Sequence, residues 1–191
     1  MMNMLLFVYG FGGSPESTFC RLLREHLPVG EFEVLCPVYP QDDCHATKVF
    51  LEEFVRKNGV DLVVGTSLGG FVTLCLDVCV PKVVINPCMM PTVELPLLKP
   101  RPDHPDDKVA STEMLATYAT YEKKVNNPQG ATRVTGLFAT QDEYLGDRYF
   151  QSFKDAYGDA RRIPGGHHGN KAAMPKLCEA IIQALDNEKD G

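Results

Sequence analysis

Apolar positions in this chain fall into short runs, separated at regular intervals by glycine, proline and charged residues. Met4 to Tyr9, Phe32 to Pro37, Val60 to Val64, Lys82 to Asn86, Arg133 to Thr140 and Ala160 to Ile163 read as strands. Leu5-Leu6-Phe7-Val8 is apolar throughout rather than alternating, which is the mark of a parallel strand covered on both faces. Between the runs the period lengthens to that of a helix. A start at Ser14-Pro15-Glu16 leads into Phe19, Leu22, Leu23 and Leu27. A second helix spans Ala46 to Asn58, with Val49, Phe50, Phe54 and Val55 turned inward and Asn58-Gly59 as its stop. Leu68, Phe71, Val72 and Cys75 carry the next helix. Two more run from Asp147 to Ala156 and from Lys171 to Leu185, the last with an apolar stripe of Met174, Leu177, Ile181, Ile182 and Leu185.

Strands that alternate with helices imply crossovers and a parallel sheet. The fold class is therefore α/β, with a mostly parallel central sheet of about six strands between helical layers. The rhythm breaks once, over residues 88–129, where Pro91, Pro96, Pro100, Pro102 and Pro105 precede a helix from Ser111 to Lys124. Because it leaves a strand end on the Ser67 side, this excursion is either a small cap over a pocket or a surface loop without a role. No repeat or linker divides the chain, so residues 1–191 read as a single domain.

Composition narrows the function. A chain of 191 residues with 44% hydrophobic and 23% charged residues can bury one sizeable core. A net charge of -6 argues against nucleic acid, which selects a basic face. The apolar Met1 to Tyr9 has no basic leader and is too short to span a bilayer, so no membrane partner and a cytoplasmic location are expected. Seven cysteines, an odd number without metal-type pairing, suit reduced thiols. Cys75 and Cys79 share a predicted helix face, but no second pair completes a metal site, and neither a metal nor another cofactor is expected.

The chemistry centres on Gly65-Thr66-Ser67-Leu68-Gly69, set between a strand and a helix. A serine on so sharp a turn tolerates only small residues two positions to either side, and the helix N-terminus behind it favours developing negative charge. Alternatively, Ser67 simply caps that helix. Active groups in open α/β sheets gather beyond the carboxyl ends of the strands. There Ser67 is joined by Asp142, past the fifth strand, and by His167-His168, past the sixth. The order serine, acid, histidine is that of α/β-hydrolases. A serine hydroxyl needs a base at neutral pH, and a carboxylate fixes the tautomer of that base. Either histidine of the pair can supply it, since adjacency does not decide which ring points inward. Asp147 is a rival acid further from the strand end, and Glu143 reads as a flanking polar residue. His26 is placed on a helix and His45 and His104 on polar loops, all solvated. The glycine-rich Gly10-Phe11-Gly12-Gly13 lacks the Lys-Ser/Thr of a phosphate loop and is read instead as presenting a backbone N–H to the serine.

The chain resembles the YqiA-like esterases, small members of the α/β-hydrolase superfamily. The likeness rests on Leu5 to Phe11 with Ser14-Pro15, Gly65 to Gly70, Val83 to Pro87, Asp142-Glu143 with Asp147-Arg148, and Gly165 to His168. It implies an α/β-hydrolase-like three-layer sandwich and hydrolysis of short acyl esters or thioesters through an acyl-enzyme. By the same resemblance Ser67 is the nucleophile, Asp142 the acid and His168 the base. Where the family has His-Gly after the first strand this chain has Tyr9-Gly10, a position that is structural in such enzymes. The N–H groups of Phe11 and Leu68 are the natural oxyanion donors, since backbone donors survive a side-chain change. The expected partner is a small-molecule acyl ester or thioester, while acyl transfer and peptide cleavage use the same machinery. The alternative is a hydrolase-like protein that binds an acyl or peptide ligand, or a protein partner, without turnover. Nothing in the pattern specifies an oligomeric state.

Overall fold

The computed structural model describes residues 2–100, 107–129, 133–167 and 171–189. Its centre is a sheet of six strands: β1 (Asn3–Val8), β2 (Phe32–Leu35), β3 (Leu62–Thr66), β4 (Lys82–Ile85), β5 (Val134–Ala139) and β6 (Asp159–Ile163). They lie in the order β2-β1-β3-β4-β5-β6, and every neighbouring pair is parallel. Leu5, Leu6, Phe7 and Val8 are completely buried, as their unbroken apolar run requires. From β1 the chain steps outward to β2 and then returns to the other side of β1 as β3. The strand order therefore reverses at β1, and the loops leaving β1 and β3 part to open a crevice at the carboxyl edge.

Helices cover both faces. α1 (Thr18–His26) packs against α7 (Met174–Lys189), and α7 also touches β3, β4 and β5. The other layer consists of α2 (Cys44–Asn58), α3 (Leu68–Cys75), α5 (Thr112–Asn126) and α6 (Phe150–Tyr157). Each helix end has a local cause. Asp43 caps α2 by accepting from the Ala46 N–H, and Gly59 ends it at φ 58°. Ser111 caps α5 through the Met114 N–H. All eight residues of α3 are buried, so it is a core helix rather than an amphipathic one. Fully buried side chains such as Leu68 and Phe71 contribute roughly 1.5–3 kcal/mol each.

Several expectations shift. The Ser14-Pro15 start belongs to a turn, and α1 begins at Thr18 with Ser17 as its cap. α2 is rotated from the expected phase: Thr47, Leu51 and Val55 are buried, while Val49 and Phe50 are exposed. The sequence offers two apolar stripes one residue apart. The Thr47 hydroxyl, bonded to the Pro40 and Asp43 carbonyls, turns its own stripe inward. His45 lies in the first turn of α2, not on a loop, and its Nδ1 pairs with the Tyr121 hydroxyl at 2.9 Å. α3 ends at Cys75, which leaves exposed Cys79 off that helix. His104 lies outside the described residues.

The excursion after β4 holds a one-turn helix α4 (Pro91–Glu94), a 3-10 turn at Leu95–Leu97 and then α5. Its two ends behave differently. α5 packs on α2 and α3 as part of the core layer, whereas Glu94, Leu95, Leu97 and Leu98 wall the cavity beside Ser67. No helix among the described residues is long and apolar enough to cross a membrane.

Candidate active site

β3 runs directly into α3, and the junction is Ser67 at φ 53° and ψ -122°. A side-chain-bearing residue rarely adopts this conformation, and it persists only where its surroundings enforce it. Its carbonyl accepts from the Phe71 and Cys88 N–H groups at 3.1 and 3.0 Å, and its N–H donates to the Ile85 carbonyl at 3.0 Å. The turn closes so tightly that a Cβ on Gly65 would come within 2.3 Å of the Thr73 Oγ1, and one on Gly69 within 2.2 Å of the Val8 carbonyl oxygen. The motif glycines are thus required by backbone approach on two sides. The hydroxyl of Ser67 is left at the carboxyl edge, above the first N–H groups of α3.

Opposite it stands the ring of His167. Nε2 lies 2.9 Å from the Ser67 Oγ, and Nδ1 lies 2.9 Å from the Asp142 Oδ2. Asp142 also accepts at Oδ1 from the Tyr144 and Leu145 N–H groups, at 2.9 and 2.8 Å. Burial pushes the Asp142 carboxyl up. The hydrogen bond and charge of His167, with the two backbone donors, outweigh burial and leave it below its ordinary value. Asp142 is therefore ionised at neutral pH and can only accept, so Nδ1 of His167 carries a proton, and in the neutral ring Nε2 is left to accept the Ser67 O–H. Histidine and aspartate side chains are only 6% and 2% exposed, so this chain of bonds is shielded from competing water.

The backbone carrying His167 is fixed by side chains from two other loops. Glu143 Oε2 accepts from the His167 N–H at 3.0 Å, and Asn86 Nδ2 donates to the His167 carbonyl at 3.0 Å. Asn86 itself sits at φ 43° just past β4 and accepts from the Ala139 N–H at 2.8 Å, tying β4, β5 and the histidine loop together. Gly165 at φ 104° supplies the bend that brings the loop back over the sheet.

Ser67 and Asp142 are thus bridged by one histidine ring. The ring between Ser67 and Asp142 belongs to His167, in the position the family resemblance gave to His168; His168 lies outside the described residues. The deciding bonds to Glu143 and Asn86 come from residues far apart in sequence, which adjacency in the His-His pair does not reveal. Asp147 faces away: its carboxylate, 78% exposed, pairs with Arg162. Glu143 is more than a flanking polar residue, because it anchors the histidine loop. His26 is exposed on α1 and bonds the Leu22 carbonyl.

Leu68 opens α3 and Phe11 lies in the turn after β1, so both expected oxyanion donors reach the carboxyl edge beside Ser67. Gln41 braces that turn, a role the sequence reading missed. Its Nε2 donates to the Gly10 carbonyl at 2.9 Å and its Oε1 accepts from the Gly12 N–H at 3.0 Å. The Tyr9 ring lies 4.5 Å from that of Tyr39, tilted by 32°, and the Tyr39 hydroxyl donates to the Tyr9 carbonyl. The Tyr118 hydroxyl of α5 holds the Gln41 carbonyl at 3.0 Å. Ser67, His167 and Phe11 open on a cavity of about 600 Å³ that Tyr144, Leu145 and the α4 turn enclose. Among the described residues no group of three or more His, Cys, Asp or Glu is arranged to hold a metal.

A parallel sheet with a strained serine after its third strand, and acid and histidine loops after its fifth and sixth, defines the α/β-hydrolase fold. Solved structures share it. Est1E from Butyrivibrio proteoclasticus, determined with ferulic acid bound, matches with a TM-score of 0.77 at 16% identity, over 99% of this chain and 90% of its own. A monoacylglycerol lipase from Paleococcus ferrophilus matches with a TM-score of 0.73 at 14% identity, over 95% of this chain and 93% of the other. Mouse alpha/beta hydrolase domain-containing protein 10 gives 0.74 at 12%, over 96% and 90%. At such identities the likeness is one of fold. Within that fold the chain belongs to the uncharacterised protein family UPF0227, the YqiA-like family, which it matches over residues 4–182.

Proposed function

We propose that this protein is a serine hydrolase of carboxylic esters or thioesters. The observation that carries the reading is the pair of 2.9 Å contacts linking Ser67 to His167 and His167 to Asp142 at the mouth of the cavity. In this mechanism His167 Nε2 takes the proton as Ser67 Oγ attacks the acyl carbonyl, and Asp142 steadies the imidazolium. The N–H groups of Phe11 and Leu68 receive the oxyanion. Collapse of the tetrahedral intermediate expels the alcohol or thiol, protonated by His167, and leaves an acyl-serine. Water, activated by the same ring, then releases the acid and restores Ser67. No cofactor takes part. Two similar folds bear names or ligands from ester chemistry, a lipase and a protein holding ferulic acid, which supports the substrate class. All seven cysteines are free thiols, in keeping with a reducing compartment such as the cytoplasm.

A fluorophosphonate probe is expected to label the protein at Ser67, and Ser67→Ala to abolish both labelling and hydrolysis of p-nitrophenyl esters or acyl-CoA thioesters while the fold persists. A wild-type protein that resists the probe and hydrolyses no member of the panel would instead be a binding protein on a hydrolase scaffold.

A further inference from the structure

Among the polar groups on the cavity wall that take no part in the hydrolysis, Glu94 is deeply buried. Glu94 closes α4, is 5% exposed, and lines the same cavity as Ser67 and His167. Leu95, Leu97 and Leu98 follow it on the wall, and the charged lining residues besides it are Lys99, Asp107, Lys108 and Glu143. Both bonds to its carboxylate fall on one oxygen: Oε1 accepts from Arg148 Nη1 at 2.8 Å and from the Tyr149 hydroxyl at 2.6 Å. Among the described residues no donor reaches Oε2. No unbonded side-chain oxygen among them is sealed from solvent, so Oε2 keeps some contact with solvent, and Glu94 itself borders the cavity.

A carboxylate oxygen with no donor in a mostly apolar pocket is costly when an alkyl group displaces its water, and favourable when a ligand supplies the missing hydrogen bond. The charge of Glu94 is already balanced by Arg148, so a second full cation would meet that guanidinium. An uncharged donor suits the site better. We propose that Glu94 Oε2 selects esters bearing an uncharged hydrogen-bond donor, in the simplest case a hydroxyl, on the part of the substrate that fills the cavity. This names a substrate class for the hydrolase reading and rests on it. Glu94 is then a specificity residue: it holds the substrate and leaves the reacting atoms to Ser67 and His167.

The test compares methyl ω-hydroxyalkanoates with their ω-methoxy counterparts over a range of chain lengths, and a matched series with the substituent on the alcohol. The methoxy oxygen can only accept, so the pair isolates the donated hydrogen bond. Binding is measured calorimetrically on Ser67→Ala protein, where no turnover intervenes. The hydroxy member of at least one series is expected to bind roughly tenfold or more tightly than its methoxy partner, the range of a hydrogen bond to a charged acceptor. Glu94→Ala should erase that preference. Glu94→Gln keeps an oxygen for Arg148 and Tyr149 and turns an N–H toward the cavity, which either ligand can accept, so the preference should collapse toward unity in a folded protein. Equal binding of the two ligands, no binding of either, or a preference untouched by both substitutions would overturn the inference. Turnover by the wild-type protein is read separately. Hydrolysis without hydroxyl preference removes this inference alone, whereas hydroxyl preference without any ester hydrolysis removes the hydrolase reading and leaves Glu94 as a ligand group.

Discussion

Ser67 and His167 meet at 2.9 Å, yet the chain holds them by different means. Ser67 is set by sterics: β3 and α3 pack so closely that only glycine fits at positions 65 and 69, and the strained backbone has nowhere else to go. His167 is set by hydrogen bonds with Glu143 and Asp142, past β5, and with Asn86, past β4. A sterically enforced position leaves its signature in a few adjacent residues. A hydrogen-bonded one scatters its signature over the chain, and it responds to changes in polar chemistry that the first ignores.

The largest effect should come from breaking the hydrogen-bonded half at its centre. His167→Ala is expected to lower kcat by a factor on the order of 10⁴ or more, because the serine loses its base. His168→Ala should retain most of the turnover. Steady-state hydrolysis of a p-nitrophenyl ester by the two variants checks this, and the reverse outcome would return the base to His168.

That same difference explains what was legible in the sequence. The elbow, the strand order of Ser67, Asp142 and the histidine pair, and the alternation of strands with helices could all be read, since each is a local pattern or a count of elements. The choice between His167 and His168 could not, because it depends on Asn86 and Glu143, which stand 81 and 24 residues away along the chain. The one available signal was Asn86-Pro87 after a buried strand, and it marks a special backbone position without naming a partner. The phase of α2 was missed for a similar reason: Phe50 and Leu51 are both apolar, and the buried Thr47 that decides between their stripes looks polar in sequence. Gln41 and Glu94 carry no motif at all; their roles follow from what the fold brings beside them.

Next in size is a pair of substitutions that should separate the two modes of support. Gly69→Ala places a Cβ within 2.2 Å of the Val8 carbonyl oxygen and 2.4 Å of the Tyr9 carbonyl oxygen, and neither backbone atom can retreat without moving β1. A loss of about 3 kcal/mol or more is expected, seen as a fall in melting temperature of roughly 10 °C. Glu143→Ala frees one N–H at the edge of the cavity, where water can replace the lost acceptor. It should lower kcat about tenfold through a looser histidine loop and scarcely move the melting temperature. Thermal melts and ester kinetics on both variants test this. Comparable stability losses in the two would mean that the loops are held as rigidly as the elbow.

The smallest effect is also the most selective, because protons act on the hydrogen-bonded half alone. Asp142 titrates below its ordinary value in the folded protein, with burial opposed and outweighed by His167 and two backbone N–H groups. A carboxyl with a depressed folded pKa stabilises the fold in full above its unfolded value, about 4, and loses that contribution as pH falls through the folded value. Asp142→Asn removes the contribution at every pH. Its stability deficit against wild type, read from denaturant midpoints, should therefore be largest near neutral pH and shrink on acidification below about pH 4. Other carboxylates titrate equally in both proteins and cancel in the difference. The deficit of Gly69→Ala contains no titrating group and should stay level over the same range. If the Asp142→Asn deficit also stayed level, the bonds to His167, Tyr144 and Leu145 would not be what holds the acid ionised, and the contrast between the two halves of the site would fail at its polar end.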